Sequence, residues 1–264
     1  EALDAIAEGR VDIIAGVRLV PSKKFFKLAK HSSLVLKETI PIQKYILNAI
    51  PEKVADLSNY ERIYIMRQLR TAILQSADYN HLRASMDIFP INGDGSLSAA
   101  QLSELDNIHS DSKTFLPKRK ITLGVFPWRL RHFEKITKDL TYIQLKTIST
   151  MPNGLALQDK PDFYFSGTDS SFNENLSLVN YSLATGYFKS PNLTTTQWVH
   201  QYMLTSDKLE RLKMLQELQL NSQRSGILMI VGESPYYTLL QKNIDYNEMK
   251  FAANLYLWDL KKLY

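Results

Sequence analysis

The 264-residue chain contains no cysteine. Disulfides, thiolate metal sites and cysteine nucleophiles are therefore excluded, while the compartment stays open. Long apolar runs are also missing: the longest, Gly226 to Gly232 (GILMIVG), is strand-sized, far short of the roughly 20 residues a membrane-spanning helix needs. No low-complexity tract and no repeat period stand out, which argues against disorder and fibrous architecture. The sequence opens on Glu1 without an initiator Met or a tripartite leader, from which we expect that a segment upstream has been removed.

Charge of one sign is in slight excess only. Lys+Arg 32 against Asp+Glu 27 gives +5, scattered in small groups such as Lys23-Lys24, Lys118-Arg119-Lys120 and Lys261-Lys262. Nucleic-acid binders concentrate basic residues on one face or tail, so a solvated surface is expected here and no nucleic-acid partner. What the chain does have is 44% hydrophobic and 11% aromatic residues, enough for a substantial core.

Periodicity gives an α/β pattern. Ala2 to Glu8 reads as an amphipathic helix stopped by Gly9, with a strand from Val11 to Ala15. Pro21 starts a helix through Phe25, Phe26, Leu28 and Ala29, and Leu34 to Leu36 and Ile40 to Leu47 are strand-like. Asn59 to Gln75 places Ile63, Met66, Leu69 and Ile73 at helical spacing. Pro90 to Gly95 is a turn, and Ser98 with Gln101 forms a capping box for a helix ending near Leu105. Lys120 to Phe126, Leu130 to Leu140 and Thr141 to Ser149 read as strand, helix and strand, a βαβ unit that calls for a parallel or mixed sheet. Phe163 to Phe165 is a strand leading into a polar loop, Ser166 to Asn175. Thr194 to Met203 and Asp207 to Leu220 are helices, Ile227 to Glu233 is a strand, and Leu255 to Leu257 a last one.

Motifs for catalysis and metals fail one by one. Asn92-Gly93-Asp94-Gly95 superficially resembles a calcium loop, but with Gly95 at the sixth position Pro90 and Gln101 fall on essential ligand positions. The histidines His31, His81, His109, His132 and His200 show no pair at ligand spacing on one helix and read as surface residues. No G-x-S-x-G elbow, P-loop or dinucleotide loop occurs. No cofactor, no metal and no enzymatic activity are expected.

Several segments, read in order, resemble the extracellular solute-binding proteins, family 5, that serve oligopeptide and dipeptide ABC transporters. The segment Ala2 to Ile13 (ALDAIAEGRVDI) is similar to the family's helix, glycine and strand, and Arg67 to Ile73 (RQLRTAI) to the arginine-led helix beginning its carboxy-terminal lobe. Lys120 to Ser149 occupies the place of that lobe's βαβ unit, and Asp162 to Asp169 that of the strand and loop lining the ligand cleft. Tyr187-Phe188-Lys189-Ser190-Pro191 and Arg211 to Val231 resemble the later turn, helix and strand. Together these cover nearly the whole chain.

The resemblance implies a periplasmic-binding-protein-like (type II) α/β lobe with a mixed sheet and flanking helices. It assigns residues 1–44 to the carboxy-terminal piece of a first lobe with a hinge strand, 45–245 to the second lobe, and 246–264 to a return into the first, whose remainder is missing from this chain. It implies an ABC importer's substrate-binding component, periplasmic or anchored on the outer membrane face, with a peptide or other small solute and a membrane permease as partners. Asp169 falls where peptide-binding relatives carry an aspartate for the ligand's amino terminus. Two roles are open to it, that anchor or a cap of the loop or next helix. Thr168 accompanies it. Phe165, Trp128 and Tyr164 either line the cleft or belong to the core. The relatives usually place a tryptophan or similar aromatic a few residues before the aspartate and proline after it, whereas Phe165 and Phe172 flank Ser166 to Ser171 here, so the ligand need not be a peptide. Two other functions share the fold: the ligand-sensing domain of a transcription regulator, and a hydrolase using Asp169 with Ser170 or Ser171.

Overall fold

The computed structural model describes residues 2–17, 23–38, 43–89, 95–110, 114–169, 174–235, 237–246 and 260–262. The turn expected at Pro90 to Gly95 lies outside them apart from Gly95, and the strand expected at Leu255 to Leu257 lies outside them entirely.

The chain begins with α1 (Ala2–Ala7), β1 (Ile13–Val17), α2 (Lys23–Leu28) and β2 (Leu34–Glu38). Strand β3 (Gln43–Ala49) follows, then α3 (Asn59–Gln75), the short β4 (Arg83–Ala84) and α4 (Ala99–His109). Both longer helices start on a complete capping box. Ser58 accepts from the Glu61 N–H at 3.3 Å while the Glu61 carboxylate accepts from the Ser58 N–H at 2.7 Å, and Ser98 with Gln101 repeats the arrangement. Such reciprocal bonds satisfy donors a helix otherwise leaves open.

The βαβ unit is present as β5 (Ile121–Val125), α5 (Leu130–Ile136) and β6 (Ile143–Thr147), with β5 and β6 parallel in register Ile121 to Ile143 through Val125 to Thr147. Strand β7 spans Phe163–Asp169 and is followed by α6 (Glu174–Thr185), α7 (Thr195–Leu204), α8 (Lys208–Arg224) and β8 (Leu228–Ser234). The polar stretch expected to be a loop is thus strand up to Asp169, because Ser166, Gly167 and Thr168 pair with Ile46, Tyr45 and Lys44 of β3. Ser166 satisfies its hydroxyl against the Tyr181 hydroxyl at 2.8 Å. The chain closes with β9 (Tyr237–Gln241), β10 (Ile244–Tyr246) and β11 (Leu260–Lys262).

Six strands form the main sheet in the order β4-β8-β3-β7-β5-β6, mixed because β5 runs parallel to β6 and β7 while β3 is antiparallel to β7 and β8. A smaller antiparallel sheet has the order β1-β9-β2, and β10 pairs with β11. Strand β9 lies inside the span 45–245 that the resemblance gives to the second lobe, yet pairs with β1 and β2. The chain therefore passes back to the smaller sheet between Ser234 and Tyr237.

Alternation along the strands feeds two cores. Tyr45, Leu47, Phe165 and Met229 face α3 and α5 and pack with Met66, Leu69, Ile73 and Phe133. Ile46, Leu228 and Ile230 face α6 to α8 and pack with Leu178, Trp198 and Leu215. A third core under the smaller sheet joins Ile6, Phe25, Leu34 and Leu239.

Candidate functional site

One end of the main sheet gathers the start of β3 and the ends of β7 and β8, since Gln43 pairs with both Asp169 and Ser234. The end of β5 adds the segment Phe126 to Arg129, and open α/β sheets place ligand groups at the carboxyl ends of such parallel strands.

On the α3 and α5 face this end carries an aromatic bed under a cation. Tyr45 and Phe165 stack at 5.9 Å with 20° between planes, and Tyr79 stands edge-on to both, at 6.2 Å and 5.9 Å. The Arg129 guanidinium lies 4.7 Å from the Phe165 centroid and 5.5 Å from that of Tyr45. Gly167 follows Phe165 on the same face; a Cβ there would sit 3.9 Å from Arg129 Nη2. Among the described residues Arg129 has no carboxylate partner, and its Nη1 is buried without an acceptor. An aromatic bed holds a guanidinium through its π-faces while leaving the in-plane N–H donors unspent.

His81 stacks on Tyr79 at 6.2 Å and stands edge-on to Tyr45 at 6.4 Å. Both its ring nitrogens are buried without partners. Burial pushes its pKa down to about 4, so at neutral pH it is an uncharged imidazole with one free donor and one free acceptor. His132 lies across Tyr79 at 6.4 Å and is held by Asp78, Nδ1 to Oδ2 2.8 Å. Burial also raises the Tyr79 phenol to about 12 against the opposing pull of the Arg129 charge.

The opposite face at this end is closed by an ion pair. Lys44, fully buried, donates Nζ to Glu233 Oε2 across the β3–β8 register. Asp87 adds its charge nearby and accepts from the Phe89 N–H (2.9 Å), the Leu97 N–H (2.6 Å) and Gln219 Nε2 (3.1 Å). Burial raises the Asp87 carboxyl, and these three bonds oppose that shift.

Of the residues singled out in the sequence, Phe165 and Tyr164 are fully buried. Phe165 supports Arg129, whereas Tyr164 points from the other side of the strand. Trp128 is 59% exposed and stacks on Phe126 at 4.7 Å with 6° between planes. Thr168 is half-buried opposite Lys44. Asp169 ends β7 beside Gln43 at the same sheet end; its side chain, like Ser170 and Ser171, lies outside the described residues. The histidines are not uniformly on the surface: His109 is 5% exposed and His81 half-buried, because α4 and the aromatic bed supply apolar cover. Tyr45, Tyr79, His81 and Arg129 were not foreseen as site residues. The available signal was the position of Arg129 just past a strand that enters a βαβ unit. Among the described residues no group of three histidine, aspartate or glutamate side chains is placed to hold a metal, and no helix is long and apolar enough to cross a membrane.

No family model and no curated protein matches the chain in sequence. Solved structures do match it. The oligopeptide-binding protein AppA from Bacillus subtilis, in complex with a nonapeptide, is similar with a TM-score of 0.68 at 9% identity, over 100% of this chain and 58% of that one. AgaA from A. tumefaciens R10, a PBP in complex with agropinic acid, gives 0.66 at 18% identity, over 100% and 58%. NikA from Staphylococcus aureus, in complex with Ni(L-His)2, gives 0.66 at 12%, over 98% and 59%. The chain thus spans less than two thirds of these relatives, and over that span it has the α/β fold of periplasmic-binding-protein-like solute-binding proteins.

Proposed function

We propose that this chain is the carboxy-terminal part of the substrate-binding component of an ABC importer, and that its solute carries an anionic group held by Arg129. The observation that carries this reading is a guanidinium fixed over Phe165 and Tyr45 with no counter-charge among the described residues. A bedded guanidinium in that state is prepared for bidentate recognition of a carboxylate. Neutral His81 offers an adjacent hydrogen bond, and exposed Trp128 a face for an apolar group. Asp169 and Thr168, at the same sheet end, take an ammonium or polar group when the solute is a peptide or amino-acid derivative. Similarity to proteins solved in complex with a nonapeptide, agropinic acid and Ni(L-His)2 supports the class.

The ligand-bearing cleft lies between a second lobe built on the main sheet and a first lobe to which the β1-β9-β2 sheet belongs. Residues 1–44 are assigned to that first lobe, and the return to it begins at β9. Closure of two such lobes over a solute is a hinge motion that presents the loaded form to a membrane permease. The working place is the periplasm or the outer membrane face.

The test is calorimetric titration of the full-length protein with the solute identified by native mass spectrometry. A charge-assisted pair contributes about 1.5–3 kcal/mol, so Arg129→Ala should weaken binding about 10- to 100-fold, with Arg129→Lys between. Unchanged affinity in Arg129→Ala removes the anchor from the scheme.

A further inference from the structure

Strand order places β7 and β5 on one side of β3, while the opposite edge of the main sheet is β8 followed by β4. At that edge lies a cavity of about 840 Å³, which Arg129 does not line. Its walls divide by chemistry. Met86, Leu97 and Leu102 supply apolar surface, and Glu233, Asp87 and Asp106 supply carboxylates.

Among the described residues at the cavity the charge balance is one negative charge in excess. Three carboxylates line the cavity, against the lining Arg70 and the buried Lys44 behind Glu233. Arg70 is committed to the scaffold: Nε donates to the Ile230 carbonyl at 3.1 Å and to the Val231 carbonyl at 3.3 Å, and Nη2 to that of Ser85 at 3.3 Å. Asp87 holds its own loop through three bonds, and Glu233 holds Lys44. Asp106, exposed on α4, forms no ion pair among the described residues. The next turn of α4 carries His109, 5% exposed, with both ring nitrogens unpartnered. His109 is neutral at pH 7, through burial first and the nearby Arg70 charge second, so it adds no positive charge to the wall.

We infer that this cavity binds the cationic end of an amphiphilic group, an alkylammonium or alkylguanidinium, with its methylene stem against Met86, Leu97 and Leu102 and its charge toward Asp106. Only such a group matches both walls: an anion meets excess negative charge, and a purely apolar group leaves the carboxylates desolvated. The inference deepens the binding role proposed above by giving the solute-binding protein a pocket for a basic side chain or amine tail. It rests on that reading for its biological sense, not for its chemistry.

The probe is hexylammonium, with 1-hexanol as neutral analogue and hexanoate as the charge-reversed one, titrated into the full-length protein. Binding is followed by calorimetry and by the Met86 methyl resonance, assigned through Met86→Leu. Hexylammonium should shift that resonance while hexanol and hexanoate at equal concentration do not. Asp106→Asn, a surface change outside the cores, should weaken hexylammonium about three-fold, as expected for a partly exposed charge pair, and Leu102→Trp should fill the cavity and abolish the shift. Equal response to hexanol, or full hexylammonium affinity in both variants, overturns the inference. Arg129→Ala should leave hexylammonium binding unchanged, so failure at this cavity and failure of the Arg129 anchor are read separately.

Discussion

Lys44 and Glu233 offer the sharpest test of how the main sheet is built where it meets the smaller one. Their side chains are 0% and 4% exposed, directly across the β3–β8 pairing and one residue inside Gln43 and Ser234. Lys44→Met leaves Glu233 buried without its cation. Removing one partner of a buried pair costs about 3–5 kcal/mol, whereas replacing both by apolar groups of similar volume is often neutral or stabilising. The double variant Lys44→Met/Glu233→Leu should therefore recover most of the stability lost in either single one. The assay is urea unfolding followed by circular dichroism on wild type, both single variants and the double, with the coupling taken from the cycle. With slopes of about 1–3 kcal/mol per molar urea, the single variants should lower the midpoint by about 1 M or more. A Lys44→Met midpoint indistinguishable from wild type refutes the reasoning, since it means that water reaches Glu233. A double variant as unstable as the worse single one refutes the second half, the claim that the penalty is the orphaned charge.

Two further outcomes follow from burial and close approach. His109 has a pKa lowered to about 4, against about 6.5 in an unfolded chain. Below pH 6.5 the unfolded state binds more protons, so the stability this group contributes is complete above 6.5 and lost as pH falls toward 4, by about 3 kcal/mol for the full shift. Asp87, with its raised carboxyl, acts in the opposite sense, so the quantity to measure is the difference between wild type and His109→Leu in urea midpoints from pH 7.5 to 4.5. A constant difference contradicts the burial argument. Gly232→Ala should destabilise more than Gly167→Ala, because the added Cβ meets the Arg83 carbonyl oxygen at 2.6 Å in the first case and the Lys44 carbonyl oxygen at 3.3 Å in the second. Thermal melts that rank the two the other way contradict it.

What the sequence determined by itself was whatever rests on short-range periodicity and end chemistry. Ile63, Met66, Leu69 and Ile73 at helical spacing mark α3 over its observed bounds. Ser98 and Gln101 mark the start of α4, which runs past the expected end near Leu105 to His109, and the strand, helix and strand of residues 120–149 imply the parallel pairing of β5 with β6. These signals are local because a helix or strand must bury one face wherever it sits. Helix α6 was hidden among Asn and Ser residues whose local preferences oppose helix, and the polar end of β7 was hidden because only a partner strand shows that Ser166, Gly167 and Thr168 are paired.

The site was decided by tertiary structure alone. Tyr45, Tyr79 with His81, Arg129 and Phe165 come from four separate segments, and no spacing in the chain announces that an arginine after β5 will lie on a phenylalanine of β7. Buried charge shows the same limit. Lys44 sits in an otherwise ordinary strand, and its counter-charge arrives 189 residues later. A desolvated charge is tolerated only where such a partner has been brought to it, and that condition is set by the packing of distant strands.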